Sequence, residues 1–77
     1  MPHRYVSVEQ SLYAEEIGEY RTFGIQCWAY DAKKEKLLFT INDISCNRIL
    51  VERLARMCTS GNLAPHHLVD VVLDNLL

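Results

Sequence analysis

The stretch Phe23-Gly24-Ile25-Gln26-Cys27-Trp28-Ala29-Tyr30-Asp31-Ala32-Lys33-Lys34-Glu35-Lys36-Leu37-Leu38-Phe39-Thr40-Ile41-Asn42 carries two alternating runs around a polar break. Phe23, Ile25, Cys27 and Ala29 recur at every second position, and so do Leu37, Phe39 and Ile41. A period of two puts each set on one face of a strand. These runs predict strands over residues 19–30 and 36–42, with a hairpin loop from Asp31 to Glu35. Pairing Cys27 with Phe39 also pairs Ala29 with Leu37 and Ile25 with Ile41. A slip by one residue would send every apolar group to the wrong face, so this register is preferred, and it leaves the short loop Ala32-Lys33-Lys34.

Upstream, residues 4–13 predict a first strand, with Val6, Val8 and Leu12 on one side and Tyr5, Ser7, Glu9, Ser11 and Tyr13 on the other. Gly18 is the turn residue that leads into the second strand. The simplest joining sets Val6 near Ile25 and Val8 near Phe23, which adds the valines to the core face. Downstream of Asn42 the apolar period lengthens to about 3.6. Asp43 or Ser45 can cap a first helix, since a short side-chain oxygen accepts from free first-turn amides. Leu50, Val51, Leu54, Ala55, Met57 and Cys58 make its apolar stripe, and Arg48, Glu52, Arg53 and Arg56 its wet face. Gly61 suits a left-handed terminating residue, and Pro65 suits the first turn of a second helix. Leu68, Val69, Val72, Leu73 and Leu76 then form that helix's buried side. The expected fold class is α+β: a three-stranded antiparallel β-meander with two C-terminal α-helices packed on one face (βββαα, two layers). Residues 1–77 form a single domain.

The chain has 77 residues, of which 49% are hydrophobic, and a net charge of -2. Such a composition argues against disorder. It also argues against nucleic-acid binding, which draws on clustered Lys and Arg; Lys33, Lys34 and Lys36 read as a solvated turn. No apolar run approaches the roughly 18 residues that cross a bilayer, and the first residues lack the apolar core of a signal peptide. Cys27, Cys46 and Cys58 show no zinc or redox spacing. A cytoplasmic protein with reduced thiols and no membrane contact is expected.

Among candidate sites, His66, Asp70 and Asp74 share a helical stripe. The usual zinc signature of two His four apart is missing, however, and His66 and His67 point about 100° apart. Cys46, near a helix start, could favour thiolate, but no base can be placed beside it from the sequence. No catalytic residue, metal ligand or cofactor is assigned, and an enzyme is not expected. The most unusual predicted surface is the sheet face turned away from the helices. It is expected to present Tyr5, Tyr20, Gln26, Trp28, Tyr30 and Leu38, with Gly24 leaving a notch between Ser7 and Asn42. Large apolar groups clustered on a surface mark contact sites. A homodimer or another protein partner is therefore expected there. The alternative is a small-ligand- or metal-binding domain using the Gly24 notch or the His66/Asp70 helix end. A second alternative is single-stranded nucleic-acid binding by the aromatic face, for which the basic groove is lacking.

Three segments carry a resemblance: Tyr20-Arg21-Thr22-Phe23-Gly24-Ile25, then Asn42-Asp43-Ile44-Ser45, then Leu63-Ala64-Pro65-His66-His67-Leu68 running into Asp70-Val71-Val72 and Asp74. From about residue 20 onward the chain resembles a family of short uncharacterised bacterial proteins, a domain of unknown function. Leu73 departs from it, standing where an acidic residue is expected. The resemblance implies a bacterial cytoplasmic protein and brings no activity with it.

Overall fold

The computed structural model describes residues 3–76. The elements run β1 (His3–Ala14), β2 (Gly18–Asp31), β3 (Lys34–Ser45), α1 (Arg48–Ser60), a 3-10 turn (Pro65–His67) and α2 (Leu68–Leu76). The three strands form one antiparallel sheet in the order β1-β2-β3, and the helices follow, so the α+β class and the βββαα order are as expected. The core lies between one sheet face and the helices. It contains Tyr5, Ile25, Cys27, Val51, Leu54, Ala55, Cys58, Leu68 and Val72, flanked by Phe23, Phe39, Ile41, Ile44, Leu50, Leu63 and Val71.

The phase of β1 is the main correction. Tyr5 pairs with Cys27, Val6 with Gln26, Ser7 with Ile25 and Val8 with Gly24. Residues opposite one another in a ladder point the same way, so Tyr5 faces the helices while Val6, Val8 and Leu12 face away. Tyr5 wins the inward place because its ring is buried against α1 and its hydroxyl reaches the carbonyl of Leu63. The backbone adds to this: Tyr5 N–H donates to Thr59 Oγ1 at 2.9 Å, and the single Thr59 hydroxyl proton is shared between the carbonyls of Ala55 at 2.9 Å and Tyr5 at 3.1 Å.

Between β2 and β3 the expected register holds for Ile25 with Ile41 and Cys27 with Phe39, and then shifts. Trp28 pairs with Leu37 and Ala29 with Lys36, so Leu38 is the extra residue of a bulge. The loop is correspondingly one residue shorter. Ala32 (φ 49°) and Lys33 (φ 69°) form a two-residue turn with two positive φ values, the pattern whose twist matches the flanking strands. A second irregularity sets Asn42, Asp43 and Ile44 opposite Gly24, with Asp43 at φ 52°. Neither Asp43 nor Ser45 caps α1. Asn47 does, its side chain accepting from the Leu50 amide at 3.2 Å.

At the other end of α1, Gly61 is helical (φ -81°) and Asn62 (φ 49°) takes the left-handed place. Leu63 N–H then reaches the Cys58 carbonyl and Asn62 N–H the Thr59 carbonyl, the paired bonds that close helices of this kind. Two helical faces also differ from expectation. Met57 is exposed, and α2 buries Leu68 and Val72 while Val69, Leu73 and Leu76 face solvent.

Removing a fully buried side chain should be costly. Leu54→Ala is expected to lose about 2–5 kcal/mol in urea unfolding. A loss below about 0.5 kcal/mol, the surface scale, would contradict the packing. In the turn, replacing Ala32 by Asn and Lys33 by Gly is expected to stabilise by roughly 1 kcal/mol, because those residues accept positive φ more readily.

Candidate functional site

The sheet face opposite the helices is built by the even-numbered residues of β1 and β2. β1 contributes Arg4, Val6, Val8, Gln10 and Leu12, and β2 contributes Tyr20, Thr22, Gly24, Gln26, Trp28 and Tyr30. β3 adds Leu37 beside Trp28 and Thr40 beside Gln26, with Leu38 at the bulge. Of the six residues expected at this face, Tyr20, Gln26, Trp28 and Tyr30 lie there, and Leu38 is the exposed, unpaired residue of the bulge at its border. Tyr5 does not: it is buried on the opposite side of the sheet. Sequence reading missed Val6, Val8, Leu12 and Leu37 as members of the face. Their apolar character made them look like core residues, and only the register with β2 reveals their side.

The face divides into two zones. Around Trp28 it is apolar: Tyr30, Leu37 and Leu38 are 50%, 41% and 42% exposed, and Val6, Val8 and Trp28 are half-buried. The indole N–H of Trp28 donates to Gln26 Oε1 at 3.1 Å, which satisfies its one polar atom within the face. Arg4 and Glu35 form an ion pair across β2 at the rim. An exposed pair of this kind contributes little to stability, but it borders the apolar patch with charge.

The second zone, toward Tyr20, is polar and closed. The β3 irregularity folds over β2, so no notch exists at Gly24. A Cβ there would meet the Ile41 carbonyl oxygen at 2.3 Å and Gln10 Oε1 at 3.0 Å. Thr22, fully buried, donates to Asp43 Oδ1 at 2.7 Å, and Tyr20 donates to Asp43 Oδ2 at 3.1 Å. Asp43 N–H donates to Gln10 Oε1 at 2.9 Å, and the Gln10 amide donates to Asn42 Oδ1. Each polar atom of this cluster that faces inward is bonded, so the cluster fastens β3 to β1 and β2. The hydrogen bond to Asp43, with a smaller contribution from burial, raises the pKa of Tyr20.

The remaining sequence candidates lie elsewhere. Cys46 is exposed between β3 and α1, while Cys27 and Cys58 are buried and all three thiols are free. Burial raises the pKa of both core thiols, which keeps them protonated. The rings of His66 and His67 stand 4.0 Å apart and tilted, each exposed at the start of the C-terminal helical segment. Among the described residues no group of three His, Cys, Asp or Glu is placed to hold a metal ion. No helix among them is long and apolar enough to cross a membrane.

The whole chain, residues 1–77, matches a family described as a family of unknown function (DUF6514). The chain belongs to that family, and the match reaches beyond the segments that carried the resemblance. No curated protein and no solved structure matches it.

Two expectations follow. Alkylation of the native protein should modify Cys46 first and Cys27 and Cys58 only with unfolding, since thiolate is the reactive form. Equal rates at all three would contradict their placement. At high pH, stability should fall. Burial, with smaller contributions from Cys27, raises the Tyr5 pKa, and burial also raises those of Cys27 and Cys58. Each is neutral when folded, so the unfolded chain releases protons first as pH rises past ordinary values of 9.0 for Cys and 10.0 for Tyr. This contribution is complete below about pH 8 and is lost through the alkaline range. A melting temperature unchanged between pH 8 and 11 would contradict it.

Proposed function

We propose that this protein is a small non-enzymatic interaction module that associates with a second copy of itself through its outer sheet face. The observation that carries the reading is the run Val6, Val8, Trp28, Leu37 and Leu38, contributed by all three strands and left without a covering layer by the described residues. A domain this small buries a limited share of its own surface, so a second layer adds stability it lacks. Strands about 4.8 Å apart, rising about 3.3 Å per residue over the roughly six residues of the apolar zone, give a flat area of about 290 Å². Two such faces cover about 600 Å² before side-chain relief is added, which places the contact among small, reversible interfaces. Two sheets stacked face to face are a common solution, and two-fold pairing is the commonest symmetry. The likeness to short bacterial proteins and the three free thiols support a bacterial cytoplasmic setting.

Light scattering on wild type and on Trp28→Glu tests the reading, with circular dichroism as the folding control. The wild type is expected to associate, and the variant to lose this contact while staying folded. Leu37→Glu, at a more exposed position, provides a second variant with less risk to folding. Association unchanged by both substitutions would overturn the proposal.

A further inference from the structure

We propose a second contact, independent of the face: two copies join their β1 edges into one continuous six-stranded sheet, and the acidic β1–β2 turn of each copy seats in the groove between β1 and α1 of the other.

The two sheet edges are not equivalent. β3 is broken by the Leu38 bulge and by the irregularity at Asn42–Ile44, devices that blunt an edge. β1 runs in unbroken register from His3 to Ala14. Tyr5 turns its N–H and C=O away from β2, toward Thr59. Backbone direction alternates in an antiparallel ladder, so Ser7, Glu9, Ser11 and Tyr13 also point their groups to the open edge. Thr59 occupies the edge at Tyr5, and β1 ends at Ala14. The free edge is therefore the segment 7–13.

That segment is complementary to itself. A two-fold axis at Gln10 pairs Ser7 with the second copy's Tyr13 and Glu9 with its Ser11, and the same pairs recur on the other side of the axis. Outward-turned residues meet only outward-turned residues. Two glutamates do not oppose one another, as they would with the axis at Glu9. Ser11 lies opposite Arg21 within the chain, so the second copy's Glu9 arrives in the row of Arg21. Arg21 already holds its own Glu9 at 3.5 Å and remains 81% exposed. On the outer face Val8 meets the second copy's Leu12, which extends the apolar patch.

The same register delivers Tyr13 to the groove. Tyr13 and Ile17 are 70% and 68% exposed, high for large apolar side chains. The groove, of about 410 Å³, is lined by Arg4, Ser7, Glu52, Ala55, Arg56 and Thr59 among others. The second copy's Tyr13, opposite Ser7, falls at its mouth, and its Glu15-Glu16-Ile17 turn follows toward Arg56. Glu52 is held by Arg48 at 3.2 Å, whereas Arg56 has no ion pair among the described residues. The acidic turn supplies one.

Amide hydrogen exchange read residue by residue tests this, with the Tyr5 amide as an internal standard because Thr59 protects it in either state. At concentrations where wild type is assembled, Ser7, Glu9, Ser11 and Tyr13 amides are expected to exchange slowly, and to speed up on dilution to the monomer. The protection should persist in Trp28→Glu, which removes only the face contact. Arg56→Glu should weaken the edge dimer about tenfold, as two exposed pairs turn from attraction to repulsion. Adding Glu15→Arg and Glu16→Arg to it should restore the affinity. Fast exchange at the four edge amides in an assembled sample would overturn the edge contact and leave the face contact standing. A wild type that stays monomeric at millimolar concentration would overturn both.

Discussion

Tyr5 is bonded at three levels. Its ring is buried beside Cys27 and Cys58, its hydroxyl donates to the Leu63 carbonyl, and its backbone amide donates to Thr59. These contacts join β1 to the end of α1 and to the segment leading into α2, elements more than fifty positions away in sequence. They also fix the strand's phase. A strand has only two phases, so placing Tyr5 inward places Val6, Val8 and Leu12 outward. The apolar outer face is thus a consequence of how one tyrosine is held. A core of β-branched residues would have made a conventional sheet; the tyrosine instead provides a larger ring and a hydroxyl whose partner lies across the core.

Legibility in the sequence followed the uniqueness of each pattern. β2 alternates cleanly between aliphatic and mixed residues, so its core face and its pairing with β3 near Cys27 and Phe39 could be read directly. β1 carries large groups on both sides, and alternation alone cannot rank a Tyr against two Val residues when the deciding hydroxyl partner, Leu63, is distant. Leu37-Leu38-Phe39 offers three apolar residues in a row, so period two has no purchase there and the bulge at Leu38 stayed hidden. In α2, Leu-Val-Asp-Val-Val-Leu is apolar almost all round, and a stripe cannot be chosen from it. For the α1 cap the sequence pointed to Asp43 or Ser45, and Asn47, an equally competent side chain, was passed over. The choice fell to Asn47 because β3 continues to Ser45.

The same limits shaped the site. Trp28, Tyr30 and Gln26 lie on a strand whose phase was clear, and their side was foreseen. The notch at Gly24 was inferred from a missing side chain alone. In the fold that space is taken by the β3 backbone, which approaches too closely for any Cβ. The glycine is there to admit a crossing strand, and the Gln10, Tyr20, Thr22 and Asp43 hydrogen bonds secure it. One end of the outer face is closed by polar bonds, which leaves the apolar zone around Trp28 as the part free to meet another molecule.

All of this rests on the β1–β2 register, and nuclear Overhauser contacts across the two strands measure it most directly. Contacts of the Tyr5 ring with Leu63 and Cys58, and of Val6 with Gln26 and Trp28, are expected. Contacts of Val6 with Ile25 and Leu54, together with a Tyr5 ring against Gln26, would show the opposite phase. The outer face would then lose its valines, and with them the apolar patch around Trp28.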